Sequence, residues 1–316
     1  MTLDGAMAMN TTPNVATAPP TPFGLIAGWG RFPIVVAEGL RERGHEIVGL
    51  GVKQHADPAI ARLCTRFDWI GLGQLGYAGT FFVRHGVRRA TLAGKIHKRL
   101  LLENWAALKH LPDWRTLRRF YPHFISTRKD RKDDTLLLAV VEEFASRGVT
   151  MTAATDLLPE LLVKNGQLTR RGVSSREWKD IAFGWELAKR MGGLDVGQSV
   201  AVKGRAVLAV EAVEGTDAAI RRAGELCRGG GFSVVKVAKP AQDMRFDVPT
   251  IGVGTIETMA ASGASVLAIE AEKTILVDQR DVVNLADRHG IAIVAVRADQ
   301  ITVENPPVAA GSSFEG

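Results

Sequence analysis

Short apolar runs alternate with segments of helical periodicity along the first half of the chain. Phe23–Ala27 is an apolar run, and a glycine-rich turn follows it directly. The next segment, from Ile34 to Arg43, has the composition of a helix, and Gly44 stands where glycine commonly ends one. His45–Leu50 is the next strand-like run. Strand, helix and strand in this order predict a parallel sheet with crossover helices.

The same rhythm continues to about residue 157. Asp57-Pro58 predicts the start of a helical turn. Further strands are expected at 69–72, 89–93 and 149–153, and helices at 80–86 and 136–146. Asp133, Asp134 and Thr135 stand where the backbone donors of the last helix need a cap. These elements predict an N-terminal Rossmann-like domain at 23–157, preceded by a disordered polar tail at 1–22.

The second half mixes hairpins with helices. Helices are expected at 176–191, capped by Ser174, and at 218–226, 255–261 and 281–288. Strands are expected at 232–237 and 291–296. One hairpin is predicted to pair 200–202 with 206–212 through Lys203-Gly204-Arg205, and a second to pair 266–270 with 274–277. The pattern predicts a C-terminal α/β domain with a mixed sheet at 158–306, followed by a flexible tail at 307–316.

Composition excludes several classes of protein. The 316 residues are 46% hydrophobic and 23% charged, as is typical of soluble globular proteins. No apolar stretch approaches the ~20 residues of a membrane-spanning helix, and the N-terminus lacks the pattern of a secretory signal. Cys64 and Cys227 suggest no disulfide framework, and the histidines form no pair spaced for zinc. We therefore expect a cytoplasmic protein.

Positive charge is concentrated in one segment. The net charge is +6, and Arg84–Lys132 is heavily basic, with only Glu103, Asp113 and Asp130 opposing. Tryptophan, tyrosine and phenylalanine residues are interleaved with these cations. Such a segment suits an anionic membrane surface or nucleic acid, and it is also compatible with a solvated helical surface. Because no nucleic-acid-binding motif accompanies it, the membrane surface is the favoured partner and nucleic acid is not expected.

The turn Gly28-Trp29-Gly30-Arg31-Phe32-Pro33 lies between a predicted strand and a predicted helix. Glycines at this place let backbone N–H groups approach a phosphate at the helix N-terminus. The dinucleotide fingerprint requires glycine or alanine where Pro33 stands, and the second strand ends in Leu50-Gly51 without an acidic residue. A nicotinamide site is therefore disfavoured, whereas phosphate binding and a purely structural tight turn both remain open.

A stiff, charged loop follows the strand at 232–237. Two prolines fix the backbone of this loop, which carries cations beside carboxylates, at Lys239, Pro240, Gln242, Asp243, Arg245, Asp247, Pro249 and Thr250. This combination suits a phosphorylated substrate with a divalent metal, although ordinary surface ion pairs are the alternative. Glu214-Gly215-Thr216-Asp217 opens another helix, and its residues suit either capping or a cradle for phosphate or metal.

Together these segments resemble the LpxI-type UDP-2,3-diacylglucosamine pyrophosphatases of lipid A biosynthesis. The resemblance runs from about Phe23 to Arg297. It includes LIAGWGRFP at 25–33, DDTLL at 133–137, LDVGQSVAVK at 194–203, and EGTDAAIRR at 214–222 followed by KPAQDMRFDVPTIG at 239–252. The last two runs are highly specific to this family. The chain departs from the family at Trp29, where a small residue is more usual.

The resemblance implies a hydrolase that converts UDP-2,3-diacylglucosamine to UMP and 2,3-diacylglucosamine 1-phosphate with a divalent ion such as Mg²⁺. It implies two α/β domains with the substrate between them, and an essential aspartate at Asp247. Catalytic roles are expected for Asp247, Asp243, Arg245 and Lys239, and metal ligation for Asp247 and Asp217. Substrate contacts are expected from Gly28, Gly30, Pro33, Gly94, Lys95, Asp134, Thr135, Gln198, Glu214, Gly215, Thr216, Asp217, Lys236, Gln242, Pro249 and Thr250.

Two other classes of function stay open at this point. A nucleotide-binding oxidoreductase or sensor would use the N-terminal glycine turn, and a non-enzymatic adaptor for a membrane surface or nucleic acid would use the basic segment. For the enzyme, the expected partners are the lipid-linked UDP-sugar and the inner leaflet of the inner membrane, where the chain would be peripheral. A homodimer is expected because most soluble oligomers have two-fold symmetry.

Overall fold

A computed structural model describes residues 21–95, 140–240, 242–245 and 248–301. Several predicted features lie outside these residues: the two terminal tails, most of the basic segment, the cap at Asp133–Thr135 and the start of its helix. No helix in the described ranges is long and apolar enough to cross a membrane.

The first half forms a sheet of five parallel strands in the order β3-β2-β1-β4-β5. The strands are β1 Phe23–Ala27, β2 Ile47–Val52, β3 Arg66–Ile70, β4 Arg89–Ala93 and β5 Thr150–Met151. The helices are α1 Phe32–Glu42, α2 Leu75–Arg84, the helical residues 140–145 (α3) and α4 Ala154–Leu157, with 3-10 turns at Pro58–Leu63 and Pro159–Leu161. The predicted parallel sheet is confirmed.

Two apolar clusters cover the faces of this sheet. Phe82 and Phe144 belong to one cluster, and Leu25, Leu40 and Ile47 belong to the other, each fully buried. Because both faces are covered, β1 and β2 are buried along their whole length, which explains why they are continuous apolar runs rather than alternating ones.

The second half forms a six-stranded mixed sheet in the order β6-β13-β11-β9-β7-β8. Its strands are β6 Gly166–Gln167, β7 Ser199–Lys203, β8 Ala206–Val210, β9 Phe232–Lys236, β11 Ala264–Glu270 and β13 Ala292–Val296, and a separate pair is formed by β10 Thr250–Ile251 and β12 Ile275–Leu276. Strands β9, β11 and β13 are parallel, whereas β6, β7 and β8 each run antiparallel to a neighbour. The predicted mixed sheet is confirmed.

Helices pack on both faces of the second sheet. They are α5 Ser175–Gly193, α6 Thr216–Leu226, α7 Val253–Ser262 and α8 Gln279–Arg288, and a 3-10 turn follows β13 at Ala298–Gln300. Helix α5 covers one face and the other three cover the opposite face. Ser174 begins α5 with a capping box: its hydroxyl accepts from the Glu177 backbone N–H, and the Glu177 carboxylate accepts from the Ser174 N–H.

The predicted second hairpin is wrong. Residues 264–270 form β11, which pairs in parallel with both β9 and β13, so neither of its edges is free for a hairpin partner. Residues 275–276 form β12 and pair in parallel with β10 instead. Two neighbouring apolar runs indicate buried strands, but their spacing does not reveal whether the strands pair with each other. The hairpin across Lys203-Gly204-Arg205 is confirmed.

Contacts join the first half of the chain to the second. Arg31 pairs with Asp278, and Arg43 pairs with Glu160 in the segment that connects the two sheets. That segment meets the residue before β12 at Val163, whose N–H donates to the carbonyl of Thr274 at 2.9 Å. The predicted domain bounds, with a division after residue 157, stay a prediction.

Candidate functional site

The glycine turn leaves the carboxyl end of β1 and lies against the end of β4. Two backbone hydrogen bonds join Trp29 and Lys95: the Trp29 N–H donates to the Lys95 carbonyl at 2.8 Å, and the Lys95 N–H donates to the Trp29 carbonyl at 3.0 Å. The Gly28 N–H donates to the Ala93 carbonyl at 2.8 Å. The amides of Gly28 and Trp29 therefore hold the turn together and are not available to a phosphate.

Close backbone contact explains two of the glycines. A Cβ on Gly94 would lie 2.8 Å from Cγ of Pro33, and Gly94 has a φ of +92°. A Cβ on Gly28 would lie 2.8 Å from the Lys95 carbonyl oxygen. Gly30 also has a positive φ, but a Cβ there would meet nothing within 4 Å. The predicted positions of this region thus form one cluster at the carboxyl ends of β1 and β4. They are Gly28, Gly30, Pro33, Gly94 and Lys95.

Arg31 extends from this turn toward the second sheet. Its guanidinium donates to the Asp278 carboxylate at 3.2 Å and to the Glu38 carboxylate at 3.1 Å. Asp278 follows β12, has a φ of +51° and immediately precedes α8. The glycine turn of the first half is therefore in contact with the strand pair β10–β12 of the second half.

The charged loop begins at the carboxyl end of β9 and is held there by a buried carboxylate. Glu270, at the end of β11, is 1% exposed. One of its oxygens accepts from the backbone N–H of Ala238 at 2.8 Å and from the amino group of Lys189 at 2.6 Å. Lys189 also donates to the Ala238 carbonyl at 2.8 Å. The start of the loop is thus fixed through both the backbone N–H and the carbonyl of Ala238.

Lys239 and Gln242 form the first turn of the loop. The Lys239 N–H donates to the side-chain carbonyl of Gln242 at 2.9 Å, and the Gln242 N–H donates to the Lys239 carbonyl at 3.1 Å. The amino group of Lys239 donates to the Asp195 carboxylate at 2.5 Å. Asp195, which follows α5, was not predicted as a site residue.

Asp243 and Arg245 are partners of each other. Nη2 of Arg245 lies 2.6 Å from Oδ2 of Asp243, and Nε lies 3.0 Å from Oδ1. This guanidinium, with a backbone N–H bond from Arg245, outweighs partial burial and lowers the pKa of the Asp243 carboxyl. Asp247 lies outside the described residues, as do Asp134 and Thr135. The loop ends at buried Pro249 and at β10, the strand beside β12.

A second cluster lies at the N-terminus of α6. Gly215 has a φ of +86° and precedes the helix. The hydroxyl of Thr216 accepts a hydrogen bond from the amino group of Lys236 at 2.8 Å and donates to the Glu211 carboxylate at 2.8 Å. Lys236 is 4% exposed although it carries a charge. This chain of bonds joins the end of β9 to the first turn of α6.

Glu211 was not predicted as a site residue. Burial would raise the pKa of its carboxyl, but the charge of Lys236, the hydroxyls of Ser199 and Thr216 and the backbone N–H of Gln198 together lower it. Glu211 is therefore a carboxylate that stays ionised in a mostly buried position. Glu214, three residues further along the chain, pairs with Arg222 at 2.9 Å.

Asp217 lies in the first turn of α6, and its carboxylate accepts from the hydroxyl of Thr255 at 3.1 Å. Thr255 lies in the first turn of α7, so the N-termini of the two helices meet here. Within the described ranges no three histidine, cysteine, aspartate or glutamate side chains form a metal cluster. Mg²⁺ takes only one or two carboxylates with several waters, so the lack of a cluster does not bear on the predicted ligand Asp217, and the second predicted ligand, Asp247, lies outside the described residues.

Fold and site together define an α/β protein whose glycine-rich and charged loops leave the carboxyl ends of its strands, the edge at which such folds bind ligands. The model of the LpxI N-terminal domain matches residues 22–161, and the model of the LpxI C-terminal domain matches residues 164–294. UDP-2,3-diacylglucosamine pyrophosphatase LpxI of Caulobacter vibrioides is 32% identical over 280 residues, which cover 86% of this chain and 96% of that protein. The chain therefore belongs to the LpxI family, as its sequence motifs predict.

Proposed function

We propose that this chain hydrolyses the pyrophosphate bond of UDP-2,3-diacylglucosamine and releases UMP and 2,3-diacylglucosamine 1-phosphate. The observation that carries the proposal is the similarity of this chain to a UDP-2,3-diacylglucosamine pyrophosphatase. The alignment covers 86% of this chain and 96% of that relative. The two family models match residues 22–161 and 164–294, so the family relationship includes both halves of the chain.

The substrate site in this proposal lies between the glycine turn of the first half and the charged loop of the second. Two contacts and one short chain connection support this location. Arg31 joins the glycine turn to Asp278, β12 leads directly to Asp278, and β10 at the end of the charged loop pairs with β12. The loop and the glycine turn are thus connected through one short strand pair.

Exchange of ion-pair partners explains how the loop would bind a diphosphate. Lys239 is paired with Asp195, and Arg245 is paired with Asp243. When phosphoryl oxygens replace these carboxylates, each cation keeps an anionic partner, and Arg245 offers the fork geometry that suits two phosphate oxygens. The charge that develops on the phosphoryl group during hydrolysis is then neutralised by groups already in place.

Asp247 and Asp217 would hold Mg²⁺, which when bound supplies further charge neutralisation and a positioned water. The buried bonds among Lys236, Thr216 and Glu211 fix the first turn of α6, and with it the carboxylate of Asp217. Water attack at the pyrophosphate then takes place with the substrate's phosphates held by the cations of the loop.

An assay of UMP release tests this function. The purified chain is incubated with detergent-dispersed UDP-2,3-diacylglucosamine and MgCl₂, and UMP is quantified by chromatography. We expect release that EDTA abolishes and that Asp247→Ala reduces by about a hundredfold or more. Asp299→Ala is the matched control, because Asp299 is an exposed aspartate in the 3-10 turn after β13.

Each contrary outcome has a distinct meaning. The absence of UMP with the wild-type chain and Mg²⁺ would refute the function. An Asp247→Ala rate equal to that of Asp299→Ala would remove Asp247 from the mechanism, and undiminished release in EDTA would remove the metal. A change in nicotinamide absorbance without UMP would favour the oxidoreductase alternative.

The proposed location follows from the substrate, whereas the proposed assembly follows from a general rule of symmetry. A diacylated substrate resides in a membrane, so we propose that the chain works as a peripheral protein on the inner leaflet. A homodimer remains a proposal on the symmetry argument alone. Co-sedimentation with membranes and analytical ultracentrifugation test these two points separately.

A further inference from the structure

Three large apolar side chains are strongly exposed beside the candidate site. Leu194 is 77% exposed, Val196 is 48% exposed and Val213 is 96% exposed. Isolated apolar residues on a surface are normal and need no explanation. These three, however, lie on two adjacent segments, which we name the apolar turn: residues 194–196 together with Val213.

Backbone contacts place the two segments side by side. The Glu211 N–H donates to the Ser199 carbonyl at 2.8 Å, which extends the antiparallel pairing of β7 and β8 toward the apolar turn. A Cβ on Gly197 would overlap the carbonyl oxygen of Glu211. Val196 directly precedes Gly197, and Val213 follows Glu211 by two residues, so both exposed valines lie on these neighbouring segments.

A rigid helix terminus holds this surface. The Val196 N–H donates to the Met191 carbonyl at 3.1 Å, and the Asp195 N–H donates to the Gly192 carbonyl at 3.2 Å. With Asp195 at a φ of +58°, this is a Schellman motif at the end of α5. Asp195 also binds Lys239, so the backbone that carries Leu194 and Val196 is held in place by this terminus.

The apolar turn lies between the two loops of the candidate site. On one side, a Cβ on Gly192 would lie 3.3 Å from Cα of Lys239, and a Cβ on Gly193 would lie 4.0 Å from Cγ of Pro240. On the other side, Val213 immediately precedes Glu214 and the first turn of α6. Any membrane that presents a lipid to these loops comes close to this turn.

We propose that the apolar turn inserts into the acyl layer of a lipid bilayer and so places the candidate site at the membrane surface. The inference rests on the proposed function, because the relative's name identifies a diacylated substrate. The side chains that line a cleft for the substrate's own acyl chains would be partly buried. Leu194 and Val213 instead protrude into solvent, which favours contact with the bilayer. The expected partner of the apolar turn is therefore the bilayer, and the contact depends on apolar side chains rather than on charge.

Flotation with neutral phosphatidylcholine vesicles, without substrate, tests the proposal. The test variant carries Leu194→Ser, Val196→Ser and Val213→Ser, and the matched control is Leu226→Ser. Leu226 is 65% exposed and ends α6, so it lies at the opposite end of the helix that Val213 precedes. We expect wild type and control to float, and the triple variant to lose about tenfold or more of its vesicle binding.

A second pair of variants makes the test independent of the triple substitution. Val213→Trp and Leu226→Trp each add one indole, whose fluorescence brominated phosphatidylcholine quenches on contact. The added emission of Val213→Trp is expected to be quenched, whereas that of Leu226→Trp is not. Equal quenching of the two, or flotation of the triple variant at the wild-type level, would overturn the proposal.

Two further outcomes are decisive. If the wild-type chain does not float, the apolar turn is not a membrane contact. If the triple variant floats normally but changes from dimer to monomer in sedimentation equilibrium, the turn is an interface between copies of the chain. Since vesicle binding is measured without substrate, and UMP release with detergent-dispersed substrate, failure of the proposed function and failure of this surface are distinguished.

Discussion

The buried amino group of Lys236 donates a hydrogen bond to the hydroxyl of Thr216, 2.8 Å away. Lys236 is the last residue of β9, and Thr216 is the first residue of α6. Because the same hydroxyl donates to Glu211, the positive charge and the negative charge are joined through one side chain. The N-terminus of α6 is therefore fixed by a buried pair of opposite charges.

Removal of the Lys236 charge is expected to destabilise the fold. In Lys236→Met the carboxylate of Glu211 remains in a mostly buried position without its cation, which is expected to cost about 3–5 kcal/mol in the free energy of unfolding. Urea denaturation followed by circular dichroism measures this change. Lys179→Met, at an exposed position of α5, is the control and should change stability by less than about 0.5 kcal/mol.

The double variant Lys236→Met, Glu211→Gln isolates the interaction. Because it removes both charges, its loss of stability should be smaller than the sum of the two single losses. Strict additivity of the two single effects would contradict the coupling of these residues.

The pH dependence of stability should contain a contribution from Glu211. Its folded pKa lies below the ordinary value of 4.5, so it stabilises the fold above pH 4.5, and this contribution is lost as the pH falls through the folded pKa. Stability of Glu211→Gln should therefore fall less steeply than that of wild type between about pH 5 and pH 3. Denaturation curves at a series of pH values test this, and parallel pH profiles would be inconsistent with it.

Substitution of Gly94 separates steric overlap from backbone strain. Gly94 and Gly30 both have positive φ values, +92° and +101°, but only Gly94 has neighbours that a Cβ would strike. We expect Gly30→Ala to cost about 1–2 kcal/mol and Gly94→Ala to cost about 1–3 kcal/mol more. Thermal unfolding of both variants measures the difference, and equal losses would show that the contact with Pro33 relaxes freely.

The pair Arg31–Asp278 should contribute little to stability. Both side chains are substantially exposed, at 47% and 31%, so solvent screens their attraction. In a double-mutant cycle with Arg31→Gln and Asp278→Asn, we expect a coupling energy below about 1 kcal/mol. A coupling energy of several kcal/mol from urea denaturation would contradict this expectation. It would mean that the pair stabilises the association of the two halves of the chain and does not merely orient them.

Local patterns in the sequence predicted most elements of the fold. The cap at Ser174 and the glycine turn of the first hairpin each depend on residues that are close in sequence, and both predictions are confirmed. The prediction that β11 pairs with the next apolar run was wrong, because the partners of a strand depend on the whole sheet. An apolar run such as 264–270 has the same appearance in a hairpin and between two parallel neighbours.

The candidate site divides in the same way. The glycine turn and the charged loop are continuous segments and were recognised from the sequence. Lys189 and Glu270, which hold the start of the loop, are 81 residues apart and carry no local signal of their contact. Glu211 and Asp195 were missed for the same reason, since each gains its meaning only from Lys236 or Lys239 across the fold.

The backbone bridge between Trp29 and Lys95 has a consequence for residues 96–139, which include most of the basic segment Arg84–Lys132. Lys95 is the last described residue before residues 96–139, and both its backbone N–H and its carbonyl bond to Trp29 of the glycine turn. The origin of that segment is therefore anchored at the rim of the candidate site. Deletions within residues 96–139 leave this point of attachment in place, so their effects on substrate capture can be compared with the turn unchanged.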